Sequence, residues 1–545
     1  MSSRANGDGA DVLIVGAGLS GGVAALTLAE AGIRVVCLEQ GEWIDPGTYP
    51  GALPEFELLE RTKWNPDPTV RRDPADYPVD STGSDIHPTM FNGVGGGTIL
   101  YGGHWVRLHP SDFRTRTLDG VGDDWPIGWR DLWPWYDITD REFGASGLAG
   151  DPALPPTADY PLPPLPLSPA GNLMAATMDR LGWHWWPATN AIASRPYDGR
   201  RPCVQRAACM TGCGEGAKAQ TDRIHFRKAL ALGAQLITGA RVRRITTSES
   251  GLATGAVYID RSGQERFQPA EVVLLSAGAI GTPRILLLSA SPQHPQGLAN
   301  SSGLVGKRLM VHPRGRVRAI FDRFLDSWQG QSGASLFSYE FYESDPRRGF
   351  VRGAKWSIVP VRGPLASALS RDAREQIWGA DLHAKVKYEL GRAAAWGISG
   401  EDLPEESNRI TLADDLTDSD GIPAVKVTYR LSENSRRLIH FQVERGAEAF
   451  RAAGALQVET DESTGSGNPH VMGTARMGQT SSDSVVDQWG RAHDVPNLYV
   501  IDSSVFVTGG AANPSSTIAA LAKRNVSHLI ERRRDQVTPV RAAAV

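Results

Sequence analysis

The chain has 545 residues, with 57 Lys and Arg against 61 Asp and Glu, a formal net charge of −4. Hydrophobic residues make up 41% and charged residues 22%, ordinary globular usage that excludes a wholly disordered or fibrous chain. The near-neutral balance gives no electrostatic case for a nucleic-acid or anionic-membrane partner, and the length predicts more than one folding unit.

No apolar run reaches the ~18 residues that span a bilayer, because the richest one, EVVLLSAGAIGTPRILLLSA, is broken by Pro283 and Arg284. The N-terminal stretch lacks a basic, apolar, small-residue signal pattern, so a cytoplasmic location is the default expectation. Four cysteines make no disulfide framework.

Residues 11–39 read as strand, helix, strand: DVLIVGAG, then GGVAALTLAEAG, then IRVVCLEQ. From about 41 to 90 the chain is rich in Pro, Asp and Gly and reads as long ordered loops. The stretch 151–169 carries eight prolines, which excludes a helix interior or central strand and suits a crossing between domains. A helix through Phe226–Leu232 leads to the strands LITGARVRRI, GLATGAVYID and EVVLLSAG. From 314 to 430 the period-two segments VRAIFDRF, KWSIVPVRG, HAKVKYEL, NRITLAD and AVKVTYRL predict a mostly antiparallel sheet. Ser432 is a fitting N-cap for a helix over 432–454, NLYVID is a strand, and a long helix begins near Ser515.

The fold expectation is therefore α/β (α+β overall): a Rossmann-like nucleotide-binding domain interleaved with a substrate domain on a mostly antiparallel sheet. The expected division gives 8–40, 90–113, 200–312 and 455–535 to the first, and 41–89, 114–199 and 313–454 to the second.

The first sharp motif is GAGLSG, with Gly16, Gly18 and Gly21 at the G-x-G-x-x-G positions between a strand and a helix. Gly16 permits the tight turn, Gly18 admits a pyrophosphate to the backbone, and Gly21 allows close helix packing. Glu39 ends the second strand, where a carboxylate accepts hydrogen bonds from ribose hydroxyls. These residues indicate a dinucleotide site without choosing between FAD and NAD, and argue only against NADP.

Further blocks follow in order: VGGGTILYGGHWVRLHPSDF at 94–113, AGAIGTPRILLLS at 277–289, HVMGTARMG at 470–478, NLYVIDSSVF at 497–506 and NPSSTIAALAKR at 513–524. Together with the N-terminal unit they resemble the glucose–methanol–choline family of FAD-dependent oxidoreductases, over about residues 11–530. The chain is most similar in character to bacterial sugar and gluconate dehydrogenases and to pyranose or glycoside oxidases.

The resemblance implies FAD as cofactor, with Gly16, Gly18, Gly21 and Glu39 holding its ADP half and Val242 meeting the adenine through its backbone. Gly95, Gly96 and Thr98 would line the isoalloxazine or pyrophosphate, and Asp502 and Ser503 would lie near the flavin chain. Some family members bond a histidine to the flavin; the matching place here is Leu100, which implies non-covalent FAD, with His104 offset from it.

Oxidising an alcohol with a flavin needs a hydride and a proton to leave, and the protein must manage the proton. His470 matches the family's catalytic base and Asn513 its partner. His312, in GKRLMVHP, reads as structural, and His184, His440 and His493 receive no role. Trp183, Trp185 and Trp186 in GWHWWP suit either sugar stacking or, preferably, core filling.

Cys203, Cys209 and Cys213 lie within eleven residues, CVQRAACMTGC. The spacing resembles sugar dehydrogenase subunits in which three cysteines hold a [3Fe–4S] cluster; reduced structural thiols are the alternative.

The leading expectation is an FAD enzyme acting on CH–OH donors that oxidises a secondary ring hydroxyl of a sugar or glycoside to a ketone, with electrons going to oxygen. A second has the same half-reaction in a sugar dehydrogenase subunit, exporting electrons through the cysteine cluster to a cytochrome or quinone, with a small partner subunit. A non-catalytic flavoprotein, an NAD-linked dehydrogenase and a hydroxynitrile lyase are the competing classes; a purely structural flavin site needs no base–amide pair.

Overall fold

A computed structural model describes residues 9–542, except 54, 74, 75, 77, 362, 369–376 and 464–467. The first eight residues, four positions of the expected 41–90 loop and Arg362 at the end of KWSIVPVRG thus lie outside the described residues.

Two sheets carry the site. The first has seven strands, ordered Gln235–Thr238, Val35–Glu39, Ala10–Val15, Glu265–Leu275, Ala253–Ile259 and Arg241–Thr247, with Leu498–Val500 also on Glu265–Leu275. Its centre is parallel: Leu13 pairs with Val36 and Val273, and Val273 pairs with Leu498. The helix Leu19–Glu30 is buried along nearly its whole length and packs against the C-terminal helix Ser515–Ala542. The tight turn into that helix needs glycine, because a Cβ on Gly21 would stand 2.0 Å from the Gly16 carbonyl oxygen.

The second sheet has six strands, all antiparallel, and forms a roof over the first: Gln457–Asp461, Arg314–Ile320, Ala393–Gly400, Ala354–Val359, Leu336–Ser338 and Trp186–Pro187. Val317, Ala319, Trp356, Ile358, Trp396 and Ile398 face the helix Glu433–Ala452 in one core. Ser432 caps that helix as expected, accepting from the Ser435 N–H at 3.0 Å. Strand alternation then turns Arg314, Lys355, Ser357 and Ser399 to the opposite face. Arg409–Thr417, Pro423–Thr428 and Val79–Asp80 make a third, smaller sheet. The fold is thus mixed helix and sheet, a nucleotide-binding sheet with a largely antiparallel one above it.

Three element expectations change. HAKVKYEL is helical, within Gly379–Glu389, since its Ala, Lys and Glu are good helix formers and the segment packs little surface. LITGARVRRI is two strands, broken at Gly239, whose φ is +63°. Phe226 ends a π-helical turn, Asp222–Phe226, before the short helix Arg227–Ala231. The proline-rich 151–169 segment holds no helix or strand until Pro169 opens the helix Pro169–Leu181.

Candidate active site

The glycine-rich turn leaves a cradle. The helix Leu19–Glu30 has Gly18 as N-cap and no side-chain cap, so its first-turn N–H groups are offered outward, where an anionic phosphate is stabilised. A Cβ on Gly18 would meet nothing within 4 Å, the open space a pyrophosphate needs. Glu39 lies buried at the end of its strand, its carboxylate oxygens accepting from Ala17 N–H at 2.8 Å and Gly41 N–H at 2.9 Å. Each oxygen keeps a lone pair for a ribose hydroxyl. Ala240 N–H bonds the Glu39 carbonyl at 2.9 Å, which brings the strand bearing Val242 to the same end of the sheet.

Gly95, Gly96 and Thr98 form the facing wall. Thr98 Oγ1 donates to the Gly95 carbonyl at 2.6 Å and accepts from the Thr221 N–H at 3.2 Å. Gly96 has φ +48°, and a Cβ there would lie 2.9 Å from Gly18 Cα. Replacement by Val adds roughly 1–3 kcal/mol of backbone strain to that clash. The expected result for Gly96→Val is FAD binding weakened about ten- to hundredfold, measured by fluorescence titration of the apoprotein.

Asp502 holds the start of the helix Gly278–Leu288, two residues after Ser276, whose carbonyl oxygen a Cβ on Gly16 would meet at 2.4 Å, and the Ser503 carbonyl accepts from the Gly473 N–H at 3.1 Å. All of Asp502's bonds are structural: it accepts from Gly278 N–H, Thr282 Oγ1, Ser504 N–H and Ser504 Oγ at 2.6–2.9 Å, which fixes the loop. Leu100 is buried beside Tyr49, Trp64 and Ile99. His104 stacks on Phe337 at 5.4 Å. The donor set, an open glycine cradle at an uncapped helix end with a buried carboxylate beyond it, fits a dinucleotide.

The two residues expected to do the chemistry come together, and they bring others. His470 Nε2 is 3.2 Å from Asn513 Nδ2, His470 Nδ1 is 2.8 Å from His312 Nδ1, and His312 Nε2 is 2.9 Å from the Gly510 carbonyl. Asn513 Oδ1 accepts from Lys355 Nζ. One proton placement satisfies the whole chain: His312 Nε2–H donates to Gly510, His470 Nδ1–H donates to His312, and Asn513 Nδ2–H donates to His470 Nε2. Both imidazoles are then neutral, and the lone pair on His470 Nε2 faces Asn513.

Burial pushes His470 well below the usual histidine range, and His312, Arg314, Lys355 and His104 push it the same way. His312 falls to about 3 for the same first reason. His312, read from sequence as structural, is thus in direct contact with His470. Lys355 was not identified at all, although a lysine inside the apolar strand AKWSIV was a usable signal.

Trp183 and Trp185 pack against the outer core of the roof, as preferred. Trp186 instead lines a crevice with Tyr160, Phe337 and Tyr339. Cys203, Cys209 and Cys213 line another, and no disulfide joins them. Among the described residues no group of three or more His, Cys, Asp or Glu converges on a single metal ion, and no helix is long and apolar enough to cross a membrane.

The patterns of two families match: GMC oxidoreductase over residues 168–314 and 404–522, and FAD binding domain over residues 9–48. The chain is 42% identical to 2-methyl-1,2-propanediol dehydrogenase of Mycolicibacterium austroafricanum, with 97% of each chain covered. The chain belongs to the GMC oxidoreductase family. This GMC oxidoreductase is also 28% identical to the fructose dehydrogenase large subunit of Gluconobacter japonicus, covering 94% of this chain and 96% of that one. In fold it is similar to pyridoxine 4-oxidase from Mesorbium loti, with a TM-score of 0.61 and 18% identity over 95% of this chain and 99% of that one. It is an FAD-dependent oxidoreductase that acts on CH–OH donors.

Proposed function

We propose that this GMC oxidoreductase oxidises a secondary ring hydroxyl of a sugar or glycoside to a ketone, with oxygen as the electron acceptor. The observation that carries the reading is the His470–Asn513 contact, a hydrogen-bond acceptor and an amide donor 3.2 Å apart with two neutral imidazoles in line. FAD, when bound, supplies the hydride acceptor. Gly16, Gly18, Gly21 and Glu39 would hold its ADP half beside Val242, and Gly95, Gly96 and Thr98 with the Asp502–Ser503 loop would wall its other half, without a covalent bond.

The substrate hydroxyl replaces the direct Asn513–His470 hydrogen bond and bonds both side chains. Asn513 Nδ2–H donates to the substrate oxygen, and the hydroxyl proton points at His470 Nε2. As the carbinol C–H leaves as hydride, His470 Nε2 takes the proton, so the alcohol loses two electrons and two hydrogens and becomes a ketone. His312 Nδ1 accepts from His470 Nδ1–H throughout and stabilises the imidazolium that forms. The aromatic crevice at Trp186, Tyr160, Phe337 and Tyr339 supports a ring-shaped substrate. The domain division expected from sequence also stands as a proposal, with Gln457–Asp461 moved to the substrate unit because it pairs with Arg314–Ile320.

A second reading rests on the cysteine crevice. Cys203, Cys209 and Cys213 line it together, and Gln205 N–H points at Cys203 Sγ at 3.3 Å. Burial pushes the Cys203 thiol up to about 12, so a free thiol there is inert. A polynuclear cluster gives each thiolate its own iron, so the cysteines need not converge on one point. In this reading the three cysteines would hold a [3Fe–4S] cluster, which would supply one-electron relay toward a cytochrome or quinone, and the exposed Val204 and Met210 beside them would offer a docking edge for a small partner subunit.

The test is the visible spectrum of the FAD-reconstituted protein during addition of glucose or a glucoside in air. Transient bleaching of flavin bands with accumulating peroxide is the expected result. Durable bleaching over a broad brown absorbance supports the second reading instead, and no bleaching by any sugar or polyol overturns both.

A further inference from the structure

The hydrogen-bonded line through the catalytic pair has a one-way group at each end. At one end the Gly510 carbonyl only accepts, which puts the proton of His312 on Nε2 and that of His470 on Nδ1. The lone pair on His470 Nε2 is therefore set without help from Asn513. At the other end stands Lys355, 1% exposed on the roof strand Ala354–Val359. Its Nζ donates to Asn513 Oδ1, lies 3.3 Å from His104 Nδ1 and stands 4.2 Å from the centre of the Phe337 ring. An ammonium has donors and no acceptor, so it admits only the oxygen end of the amide.

That restriction matters once substrate enters. The direct Asn513–His470 bond is then gone, and His470 no longer tells the amide which way to face. Turned over, Asn513 would present Oδ1 to the hydroxyl, compete with His470 Nε2 for its proton and leave the substrate oxygen without a donor. Held by Lys355, the amide presents Nδ2–H instead, and the proton has His470 as its acceptor. The positive charge also polarises the amide, which strengthens that N–H as negative charge gathers on the oxygen the proton leaves.

We propose that Lys355 is a positioning residue that fixes the sense of the Asn513 amide, so that the substrate hydroxyl meets an N–H on one side and the His470 lone pair on the other. The proposal rests on His470 and Asn513 being the oxidising pair and adds the group that orients them. The role is exercised in the transition state, so it shows in kcat more than in KM.

A pH signature follows. Burial brings Lys355 to about 7. Without its proton the amine gains a lone pair, which accepts from Asn513 Nδ2 as well as its N–H donates to Oδ1, and the amide is free to turn. The titratable and charged groups that face Lys355 are His104, His312 and His470, which burial keeps neutral near pH 7, and Arg314, on the strand beyond Ser399, which burial lowers only to about 10. A rate limb near neutrality therefore belongs to Lys355. Stability runs the other way. The unfolded lysine keeps its proton up to its ordinary 10.5, so between about 7 and 10 the unfolded chain binds more protons and Lys355 destabilises the fold less as pH rises.

The experiment follows flavin reduction by stopped flow in the FAD-loaded enzyme from pH 6 to 9, at saturating methyl glucoside or whichever alcohol reduces it fastest. The wild-type rate is expected to fall about ten- to hundredfold as pH rises through about 7, and to meet the rate of Lys355→Met, which is low and flat. Lys355→Arg, whose guanidinium keeps its charge, holds its rate to pH 9. Lys355→Met costs little further in an Asn513→Ala background, because both changes remove the same interaction. In urea, the wild type gains stability relative to Lys355→Met over the range in which it loses rate, which a merely structural lysine would not do. A wild-type rate that is level or rising from pH 6 to 9, or an equal cost of Lys355→Met with and without Asn513, overturns the proposal and leaves alcohol oxidation standing. Failure of every alcohol to reduce the flavin sinks the oxidising pair instead. The Asn513 side-chain NH₂ signal, assigned in ¹⁵N spectra by its loss in Asn513→Ala, needs no turnover and then decides. A shift through about pH 7 that Lys355→Met removes supports the fixed amide, and a signal indifferent to both overturns it.

Discussion

Replacing His470 with Ala is expected to slow flavin reduction by about 10²–10⁴-fold, the usual worth of a positioned general base, with FAD content and melting temperature close to wild type. The imidazole touches Asn513 and His312 through its two nitrogens, and both contacts belong to the site rather than to a core. Its pH behaviour follows from burial and the cations around it. A histidine held well below 6.5 in the folded protein stays neutral as pH falls through that value. Stopped-flow flavin reduction should accordingly hold its plateau through pH 6.5 and lose rate only well below it. His312→Gln, which cannot serve as the same neutral acceptor with a fixed proton, should lower the rate and alter this acid limb. A limb near the ordinary histidine value in the wild type would contradict the proton placement given above.

How much of this was legible in the sequence depends on whether a residue's role is set by its neighbours in the chain. The Gly16–Gly21 turn was legible because one helix start and one strand end impose glycine at fixed offsets. His470 and Asn513 were legible only through their surrounding motifs, since a histidine in a loop and an Asn-Pro turn carry no chemistry by themselves. Lys355, Arg314 and His312 were not legible as site residues. They arrive from the roof sheet and the segment leading into it, and the Lys355–Asn513 contact spans 158 residues of sequence. No local spacing encodes such a meeting. The element errors have the same origin. HAKVKYEL alternates like a strand, yet Tyr388 is exposed and no sheet partner waits for it, so helix propensity decides. The helix Trp129–Phe143 escaped notice because Pro134 interrupts its pattern; Leu132, Tyr136 and Phe143, buried on one face, outweigh the missing N–H.

The largest expected loss of stability comes from a residue that touches neither substrate nor cofactor. Arg352 sits 1% exposed with φ +63°, bonding Glu401 at 2.6 Å and Asp119 at 3.1 Å and pairing with Asp112. Asp112 in turn accepts from Tyr342 OH at 2.8 Å, and that phenol oxygen accepts from the Ala511 N–H at 3.1 Å. Gly510, next to Ala511, supplies the carbonyl on which His312 rests, and Asn513 follows it by three residues. The guanidinium therefore anchors the loop that aims the catalytic pair. Arg352→Met leaves the fully buried Asp112 and Glu401 and the nearly buried Asp119 without their counter-charge, and removing one partner of such a cluster costs about 3–5 kcal/mol. Urea denaturation should register a loss of that size, larger than most single substitutions produce. Combining Arg352→Met with Asp112→Asn and Glu401→Gln should recover part of it, because the two most deeply buried of the three stranded charges are gone. The rate of flavin reduction should not recover in step. The Asp112–Tyr342–Ala511 path to Gly510 depends on an acceptor that an amide replaces only in part, so stability and rate separate in the triple variant.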